Sequence, residues 1–317
     1  MTDEGGITRA DPLRHTRFGI PVLNVSGEGL ALIWEKSLLE LWNGGCHIET
    51  EYDADGDPPS VDATMTMTVL NPMSEPAIHR CFPGGLADLE EYRMEFIEGI
   101  KDQWVKDPSD PDYAGEWTYT YSQRLRKYEC YATRRHEKGP GAREQHRDFM
   151  TIDQVAAMID GLVKSPHSRR QQCVTWQPWI DMHTSDPPCC QSIWMRINQD
   201  NYGTYVLNGN FRFRSRDAYG AAFMNLWAEV AFMEMCAGML QARLNRPVRV
   251  GRLFDISDSY HIYGKNIAEF KERFFSEGAK RSVEDRTWTR AFAQPFFDEA
   301  RPAILAKIAQ HDAERRR

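Results

Sequence analysis

Alternating hydrophobic and polar residues predict several β-strands in this chain. In residues 63–70, methionine and valine alternate with threonine, the two-residue period of a strand with one buried face. Residues 46–52, 192–198 and 204–214 are predicted as further strands. In the last of these, phenylalanines alternate with Arg212 and Arg214, so we expect the two arginines to share one face of a sheet.

Helical spacing of apolar residues predicts helices at residues 27–42, 86–100, 150–163, 226–244 and 301–317. The segment 226–244 is apolar almost all round, which is typical of a helix buried inside a large domain. Strands and helices mix without βαβ regularity or an internal repeat. This pattern favours a single α+β domain with a large mixed β-sheet flanked by helices.

We expect three regions along the chain. Residues 1–20 are predicted to be a flexible leader, residues 21–300 the main domain, and residues 301–317 a C-terminal helix with a basic tail. Two polar segments that contain Gly and Pro, 107–115 and 137–147, are predicted as exposed loops.

Composition restricts the class of protein. The net charge of −7 argues against a general nucleic-acid binder, including a DNA binder, but allows a small phosphorylated ligand held by a few local arginines. No apolar run reaches the roughly 18 residues of a membrane span. The seven cysteines form no C-x-x-C pair, so we expect reduced thiols, no metal site and a cytoplasmic location.

The segment Asp186-Pro187-Pro188-Cys189-Cys190 contains the candidate nucleophile, Cys189. A reactive cysteine needs nearby positive charge to favour its thiolate, which arginines could supply if the fold brings them close. The alternative is that this cysteine only packs in the core, as most cysteines do. We expect Cys190 to pack.

Four residues form a candidate phosphate site: Arg169, Arg170, Arg214 and Ser215. Guanidinium groups match phosphate oxygens bidentately, and a serine hydroxyl adds a further hydrogen bond. Adjacent arginines are more often part of a solvated surface, so each pair alone is weak evidence.

Further polar residues could hold a pyrimidine nucleoside. The Asn225 amide offers a donor and an acceptor for the edge of a uracil ring, although this residue could instead cap the following helix. His261 and Tyr263 could bind a sugar hydroxyl, or could be a buried aromatic pair. We expect one carboxylate among Glu90, Glu91, Glu95 and Glu98 to be buried and functional.

The order of these motifs along the chain is more specific than any one of them. The order is Ser168-Arg169-Arg170, Trp176, Pro187-Pro188-Cys189, Arg214-Ser215-x-Asp217, Asn225 and His261-x-Tyr263. Together they resemble the thymidylate synthase family, especially its archaeal-like and nucleotide-hydroxymethylase branches. The resemblance is clearest between Ser168 and Tyr263.

The resemblance implies covalent catalysis on a pyrimidine nucleoside monophosphate, with 5,10-methylenetetrahydrofolate or a related methylene-pterin as co-substrate and no metal. Cys189 would add to C6 of the ring, and C5 would then attack the methylene group. Hydride transfer from the folate would give a methyl group, and water would give a hydroxymethyl group. Methylation of dUMP to dTMP is favoured, because Asn225 suits uracil; a 5-hydroxymethylase acting on dCMP, CMP or dUMP is the alternative.

The resemblance also implies a role for each matched residue. Arg214 and Ser215 would bind the phosphate, and Arg169 with Arg170 would reach the phosphate of a neighbouring subunit in a two-fold dimer formed through the sheet. The remaining implied roles are Asp217 at the pterin or the base, Asn225 at the base edge, His261 and Tyr263 at the ribose, Tyr121 in proton transfer, and Glu91, or Glu90 beside it, as the catalytic carboxylate.

The chain departs from the usual family pattern at several positions. Cys190 stands where histidine is usual, Phe213 stands where glutamine is usual, and the sequence ends in three arginines rather than a short apolar tail. The sequence leaves the preference for ribose or deoxyribose open.

Two other classes of function are possible from the sequence. One is a thiol hydrolase that pairs Cys189 with His183 or His261, and the other is a catalytically silent nucleotide-binding relative.

Overall fold

The computed structural model describes residues 19–106, 117–133, 147–278 and 280–315. The predicted leader lies almost entirely outside these ranges, and so do the predicted loop at 107–115 and all but the last residue of the predicted loop at 137–147.

The strands in these ranges are β1 (Val22–Gly27), β2 (Cys46–Ile48), β3 (Ser60–Val69), β4 (Ile78–His79), β5 (Tyr128–Thr133), β6 (Arg147–Ile152), β7 (Gln172–Val174), β8 (Cys190–Gln199), β9 (Tyr205–Asp217), β10 (Val248–Ile262) and β11 (Thr287–Trp288). The helices are α1 (Leu30–Gly44), α2 (Leu86–Glu98), α3 (Tyr121–Arg126), α4 (Gln154–Lys164), α5 (Pro178–Asp181), α6 (Ala222–Leu244), α7 (Ile267–Phe270) and α8 (Arg290–Arg315). A π-helical segment, Lys271–Gly278, follows α7.

One large mixed sheet organises the molecule. Its strands lie in the order β1-β3-β10-β9-β8-β7, and β2 pairs with β3 beside this path. The pairs β1–β3 and β9–β10 are parallel, whereas β3–β10, β8–β9 and β7–β8 are antiparallel. The predicted α+β fold with a large mixed sheet flanked by helices is therefore confirmed.

Helix α6 lies at the centre of the core. It packs against β9 and β10 on one side and against α1, α2 and α4 on others, which explains why its sequence is apolar almost all round. Phe223, Phe232 and Met233 are among its fully buried side chains. Burial of each such side chain stabilises the fold by about 1.5–3 kcal/mol.

The boundaries of some elements differ from the sequence prediction. Helix α4 begins at Gln154, after strand β6, because the Asp153 side chain caps it by accepting a hydrogen bond from the Ala156 amide at 2.8 Å. Helix α8 begins at Arg290, well before the predicted start at residue 301. The prediction that Asn225 could cap α6 is wrong, because this residue lies inside the helix and its amide donates to the Ala221 carbonyl at 3.0 Å.

Two register irregularities lie near one end of the sheet. The pairing of β8 with β9 shifts between Cys190 and Ser192, and the pairing of β10 with β3 shifts between Ser257 and Tyr260. Such bulges bend a strand and turn side chains away from strict alternation. The candidate nucleotide residues lie beside these two shifts.

None of the helices in the described ranges has both the length and the apolar character needed to cross a membrane.

Candidate active site

Cys189 lies immediately before strand β8 and is partly buried. Arg214 on β9 holds the segment around it: the Arg214 backbone amide donates to the Cys189 carbonyl at 2.8 Å. The Arg214 guanidinium donates to the carbonyls of Pro187 at 2.6 Å and Pro188 at 3.2 Å. The structure therefore brings the predicted nucleophile and one predicted phosphate-binding arginine together.

Opposing electrostatic effects act on the pKa of the Cys189 thiol. Burial raises its pKa above the ordinary value, the positive charge of Arg214 lowers it, and the carboxylate of Asp186 raises it. The net effect is a raised pKa, so the thiol is mainly protonated at neutral pH. Catalysis by this cysteine therefore needs a group that accepts the thiol proton.

A cavity of about 470 Å³ lies next to this segment. Its lining combines aromatic rings, hydroxyl groups and two carboxylates, and consists of Tyr92, Glu95, Trp117, Thr118, Tyr119, Thr120, Tyr121, Thr184, Ser185 and Asp186. Its volume is in the range of pockets that hold ligands of moderate size. Flat aromatic side chains suit the stacking of flat heterocyclic rings.

Tyr121 links the cavity to the cysteine segment. Its hydroxyl accepts a hydrogen bond from the Cys190 backbone amide at 3.1 Å, and it also forms a side-chain hydrogen bond with Tyr119. Burial raises the pKa of both tyrosines well above the ordinary value, so both stay protonated near neutral pH. The arrangement is a connected set of hydroxyl groups beside the thiol.

The cavity contains Glu95 rather than the expected Glu91. The Glu95 carboxylate accepts a hydrogen bond from Lys101 at 3.0 Å, and burial raises its pKa. Glu91 instead forms ion pairs with Lys101 at 2.8 Å and Lys307 at 3.1 Å. Burial alone would raise its pKa, but these lysines lower it. Glu90 is paired with Arg93 at 2.6 Å. The structure brings neither Glu90 nor Glu91 to the cavity.

Asn225 reaches the cavity wall through Tyr92. Its side-chain nitrogen donates to the Tyr92 hydroxyl at 2.6 Å, and Tyr92 itself lines the cavity. This bond holds the carboxamide in one of its two orientations and directs its oxygen away from Tyr92. Sequence reasoning missed Tyr92, because nothing in the local sequence connects helix α2 to the first turn of α6.

Arg169 and Arg170 lie on the connection between α4 and β7 and are not among the residues that line the cavity. Both are exposed, and within the described part of the chain neither guanidinium has a partner. The Arg169 backbone carbonyl accepts a hydrogen bond from the Trp194 indole at 3.0 Å. The structure does not bring these two arginines to Cys189 of the same chain.

The remaining predicted residues meet where β9 and β10 end. The parallel register pairs Ser215 with Ser259 and Asp217 with His261. The His261 and Tyr263 rings lie 4.5 Å apart, edge to face. Asp217 accepts hydrogen bonds from the amides of Tyr219 at 3.1 Å and Gly220 at 2.8 Å, and burial raises its pKa. Asp217 therefore also shapes the turn before α6.

His261 is nearly inaccessible to solvent, with 4% of its surface exposed. Burial lowers its pKa to about 4, although the Asp53 carboxylate and a hydrogen bond with the Ser259 backbone oppose this, so the ring is neutral at physiological pH. His183 is exposed. Among the described residues, neither histidine ring is hydrogen-bonded to the Cys189 thiol, so the geometry that a thiol hydrolase needs is not present.

A fully buried ion cluster that the sequence did not reveal lies behind the site. The Arg216 guanidinium contacts Glu229 Oε1 at 2.8 Å and Asp255 Oδ2 at 2.7 Å, and its face lies 3.4 Å from the centre of the Phe213 ring. Burial raises the pKa of both carboxylates against the opposing effect of Arg216. Arg216 stands in the Arg-Ser-Arg-Asp motif, but its partners come from α6 and β10.

The fold and the site define an α+β protein with a thiol beside a polar, aromatic-lined cavity. The family model for thymidylate synthase matches residues 86–282, which is more than half of the chain. The chain therefore belongs to the thymidylate synthase family.

Individual proteins agree with this assignment. The chain is 25% identical over 239 residues to a protein of Methanosarcina acetivorans named "Putative thymidylate synthase", a match that covers 75% of this chain and 88% of that protein. It is 25% identical over 186 residues to the thymidylate synthase of Mesoplasma florum, which covers 58% of this chain and 61% of that protein. The structure of the thermostable thymidylate synthase A from Bacillus subtilis superposes with a TM-score of 0.54 at 17% identity, covering 78% of this chain and 84% of that one.

Proposed function

We propose that this protein transfers a one-carbon unit to C5 of a pyrimidine nucleoside monophosphate, and that its main reaction is methylation of dUMP to dTMP. The observation that carries this proposal is the position of Cys189, fixed by Arg214 beside a cavity that contains Tyr121 and Glu95. The co-substrate would be 5,10-methylenetetrahydrofolate or a related methylene-pterin, in keeping with the family.

The proposed role of Cys189 is addition of its sulfur to C6 of the pyrimidine, which makes C5 nucleophilic. Because the thiol is mainly protonated in the free protein, binding of the nucleotide must accompany removal of its proton. The carboxylates of Glu95 and Asp186 and the tyrosine hydroxyls line the cavity and can accept or pass a proton. Of the two carboxylates, Glu95 is the buried one, with 14% of its side chain exposed against 83% for Asp186. We therefore assign the catalytic carboxylate to Glu95 rather than to Glu91 or Glu90, and keep Tyr121 in proton transfer.

The nucleotide would bind around the ends of β9 and β10. Arg214 and Ser215 would hold its phosphate, and Asn225 would contact the base edge with the carboxamide oxygen that Tyr92 leaves free. His261 and Tyr263 would contact the sugar, and Asp217 would lie toward the base or the pterin. The aromatic lining of the cavity suits the flat pterin and pyrimidine rings.

The proposed assembly is a homodimer in which Arg169 and Arg170 complete the phosphate site of the other subunit. Their exposure supports this, and so does the lack of a hydrogen bond or ion pair with their own Cys189 segment among the described residues, because unpaired guanidinium groups at a surface are suited to a phosphate in trans. The sheet also has a solvated face, on which Arg212 and Asp258 form an ion pair at 3.0 Å with both side chains about half exposed.

Subunit complementation tests the shared site. Cys189→Ser and Arg169→Ala/Arg170→Ala proteins should each be inactive as homodimers. After they are mixed and allowed to exchange subunits, heterodimers contain one site with both an intact thiol and intact arginines, and activity should reappear. Light scattering should show dimers for both variants. Failure to regain activity despite subunit exchange would contradict the shared site.

A 5-hydroxymethylase acting on dCMP, CMP or dUMP is the second candidate. The observation that favours it is the polar character of the cavity, where Thr118, Thr120, Thr184 and Ser185 could hold a water molecule near the reacting carbon. Water in place of hydride would give the hydroxymethyl product and leave the folate as tetrahydrofolate.

Product analysis separates the two candidates. The protein is incubated with methylenetetrahydrofolate and with dUMP, UMP, dCMP or CMP, and the nucleotide product is identified by mass spectrometry. Methylation predicts dTMP together with dihydrofolate, which is followed by its absorbance. Hydroxymethylation predicts a product heavier by one oxygen and no dihydrofolate.

The covalent step is tested by substitution of the thiol. Cys189→Ser should abolish turnover and the covalent adduct with 5-fluoro-dUMP, while the protein stays folded. Cys130→Ser is the matched control, because Cys130 is also a partly exposed thiol and belongs to a different sheet. Normal turnover by Cys189→Ser would remove this residue from the mechanism.

A further inference from the structure

A three-residue hydrogen-bond relay lies under the sugar side of the site. Asp62 on β3 is the direct cross-strand neighbour of His261 on β10, and Ser259 lies two residues before His261. The Ser259 hydroxyl donates to Asp62 Oδ2 at 2.6 Å, and Ser259 Oγ lies 3.1 Å from His261 Nδ1. Asp62 and His261 are both buried, with 6% and 4% of their surfaces exposed.

The positions of the protons in this relay determine the tautomer of His261. An ionised carboxylate can only accept hydrogen bonds, so the single proton of the Ser259 hydroxyl is committed to Asp62. The Ser259 oxygen can then only accept from His261 Nδ1, which must carry the ring proton. In the neutral imidazole the other nitrogen, Nε2, is left as a bare acceptor.

His261 Nε2 is buried and has no hydrogen-bond partner within the described part of the chain. A buried acceptor without a partner costs free energy, so the site is suited to a ligand that brings a donor. The neighbouring groups identify which part of a ligand would lie there. The Tyr263 ring is 4.5 Å away, and the strand register places Ser215 beside Ser259. This is the region between the proposed phosphate and base contacts, where the sugar of a nucleotide would lie.

We propose that Asp62 and Ser259 are positioning residues that hold His261 in its Nδ1–H tautomer, so that Nε2 accepts a hydrogen bond from a sugar hydroxyl of the nucleotide. This inference rests on the proposed function, because it takes the ligand to be a nucleoside monophosphate. It adds a direction to the contact: the sugar donates and the protein accepts. Asp62 acts only through Ser259 and His261 and does not contact the ligand.

The tautomer is measured without any ligand. Long-range ¹H–¹⁵N correlation spectra of the histidine side chains, with His261 identified by its loss in His261→Gln, should show a protonated Nδ1 and an unprotonated Nε2. In Asp62→Ala, the freed Ser259 hydroxyl can donate to Nδ1, so the spectrum should shift toward the Nε2–H form. Asp258→Ala is the matched control, because this carboxylate lies on β10 next to Ser259 but is exposed and paired with Arg212.

Ligand binding tests the second half of the inference. By calorimetry, Asp62→Ala and Ser259→Ala should each weaken binding of dUMP by about tenfold or more, in line with the loss of one well-placed hydrogen bond. Binding of 2′,3′-dideoxy-UMP, which lacks the sugar hydroxyl, should be equal in wild type and both variants. Asp258→Ala should bind both nucleotides as wild type does.

Two results would overturn the inference. One is an Nε2–H tautomer in the wild-type protein. The other is equal loss of affinity for dUMP and the dideoxy analogue in folded Asp62→Ala and Ser259→Ala, which would show a merely structural role. Both differ from failure of the proposed function itself, which would appear as absence of any nucleotide binding and of any covalent adduct by the wild-type protein. If Asp62→Ala does not fold, Ser259→Ala alone decides the matter, because it removes the same relay with a smaller change.

Discussion

The buried ion cluster around Arg216 gives a prediction whose size follows from the structure. Arg216 is the only cation in contact with the carboxylates of Glu229 and Asp255 among the described residues, and all three side chains have at most 1% of their surface exposed. Replacement by methionine keeps much of the side-chain volume but removes the charge. The carboxyl groups of Glu229 and Asp255 would then be buried without a cation.

The expected loss is large. At a separation of 2.7 Å, the pair of Arg216 with the Asp255 carboxylate has a Coulomb attraction of about 6 kcal/mol at an effective dielectric constant near 20, most of which is offset by desolvation of the charges. Burial raises the pKa of Glu229 to about 8, so this carboxyl group is largely protonated at neutral pH. Removal of one partner from a buried pair typically costs about 3–5 kcal/mol. Because whole domains are stable by only about 5–15 kcal/mol, Arg216→Met should be close to the limit of folding.

Arg212→Met is the matched control on the same strand. Arg212 also forms an ion pair, with Asp258 at 3.0 Å, but 56% of the arginine side chain and 41% of the aspartate side chain are exposed. Exposed pairs contribute about 0–1 kcal/mol. Urea unfolding at one fixed protein concentration should therefore give a loss of about 3–5 kcal/mol for Arg216→Met and less than about 1 kcal/mol for Arg212→Met.

The pH dependence of the loss adds a second check. Burial raises the pKa of Glu229 and Asp255, and without Arg216 this rise would be larger. The carboxylates would then take up protons, so the loss in Arg216→Met should shrink as the pH falls. The triple variant Arg216→Met/Glu229→Gln/Asp255→Asn, which removes all three ionisable groups, should recover part of the stability. Equal losses for Arg216→Met and Arg212→Met would refute the reasoning.

Three further predictions concern the site. Glu95→Gln should lower kcat by about 10²–10⁴-fold if this carboxylate transfers protons, whereas Glu91→Gln should stay within a few-fold; the reverse order would restore Glu91 as the catalytic residue. Tyr92→Phe frees the Asn225 carboxamide to turn over, so the ratio of kcat/KM for dUMP to that for dCMP should fall by about 3–10-fold, and an unchanged ratio would show that Tyr92 does not fix the amide. Burial raises the pKa of Asp62 from 3.8 to about 6, so the folded protein holds this proton more tightly than the unfolded chain does. The resulting stabilisation is fully present below about pH 4 and is lost as the pH rises through about 6, which lowers the free energy of unfolding by about 3 kcal/mol in total. Urea unfolding from pH 4 to 7 should therefore show this loss in the free energy of unfolding for wild type but not for Asp62→Asn. The same pH dependence in both proteins would contradict the raised pKa.

The sequence predicted much of the architecture and the family. Strict alternation in β3 and the phenylalanine–arginine alternation in β9 are local patterns that each strand carries by itself. The apolar composition of 226–244 predicted a buried helix, and α6 occupies the centre of the core. The ordered motifs predicted the family before any contact was known, because each motif is short and contiguous.

Other features could not be read from local patterns. Glu91 and Glu95 lie about one helical turn apart on α2, so helical periodicity cannot separate them. Only the packing of α2 decides that Glu95 faces the cavity while Glu91 pairs with Lys101 and with Lys307 on α8. Asn225 likewise had two local interpretations, and its contact with Tyr92 spans 133 residues of sequence.

The sequence by itself therefore determined the fold class, the family and the strongly periodic elements β3, β9 and α6, because those depend on periodicity and on the order of short motifs. It did not reveal the central strand β10. The tertiary structure alone decided which polar groups act together. Arg214 and Arg216 are two residues apart, yet one lies by the cysteine segment and the other is buried with carboxylates from α6 and β10. Asp62 joins Ser259 across 197 residues. The physical reason is that leaving a polar group buried without a partner costs free energy, and its partner is set by strand register and helix packing rather than by neighbours in sequence.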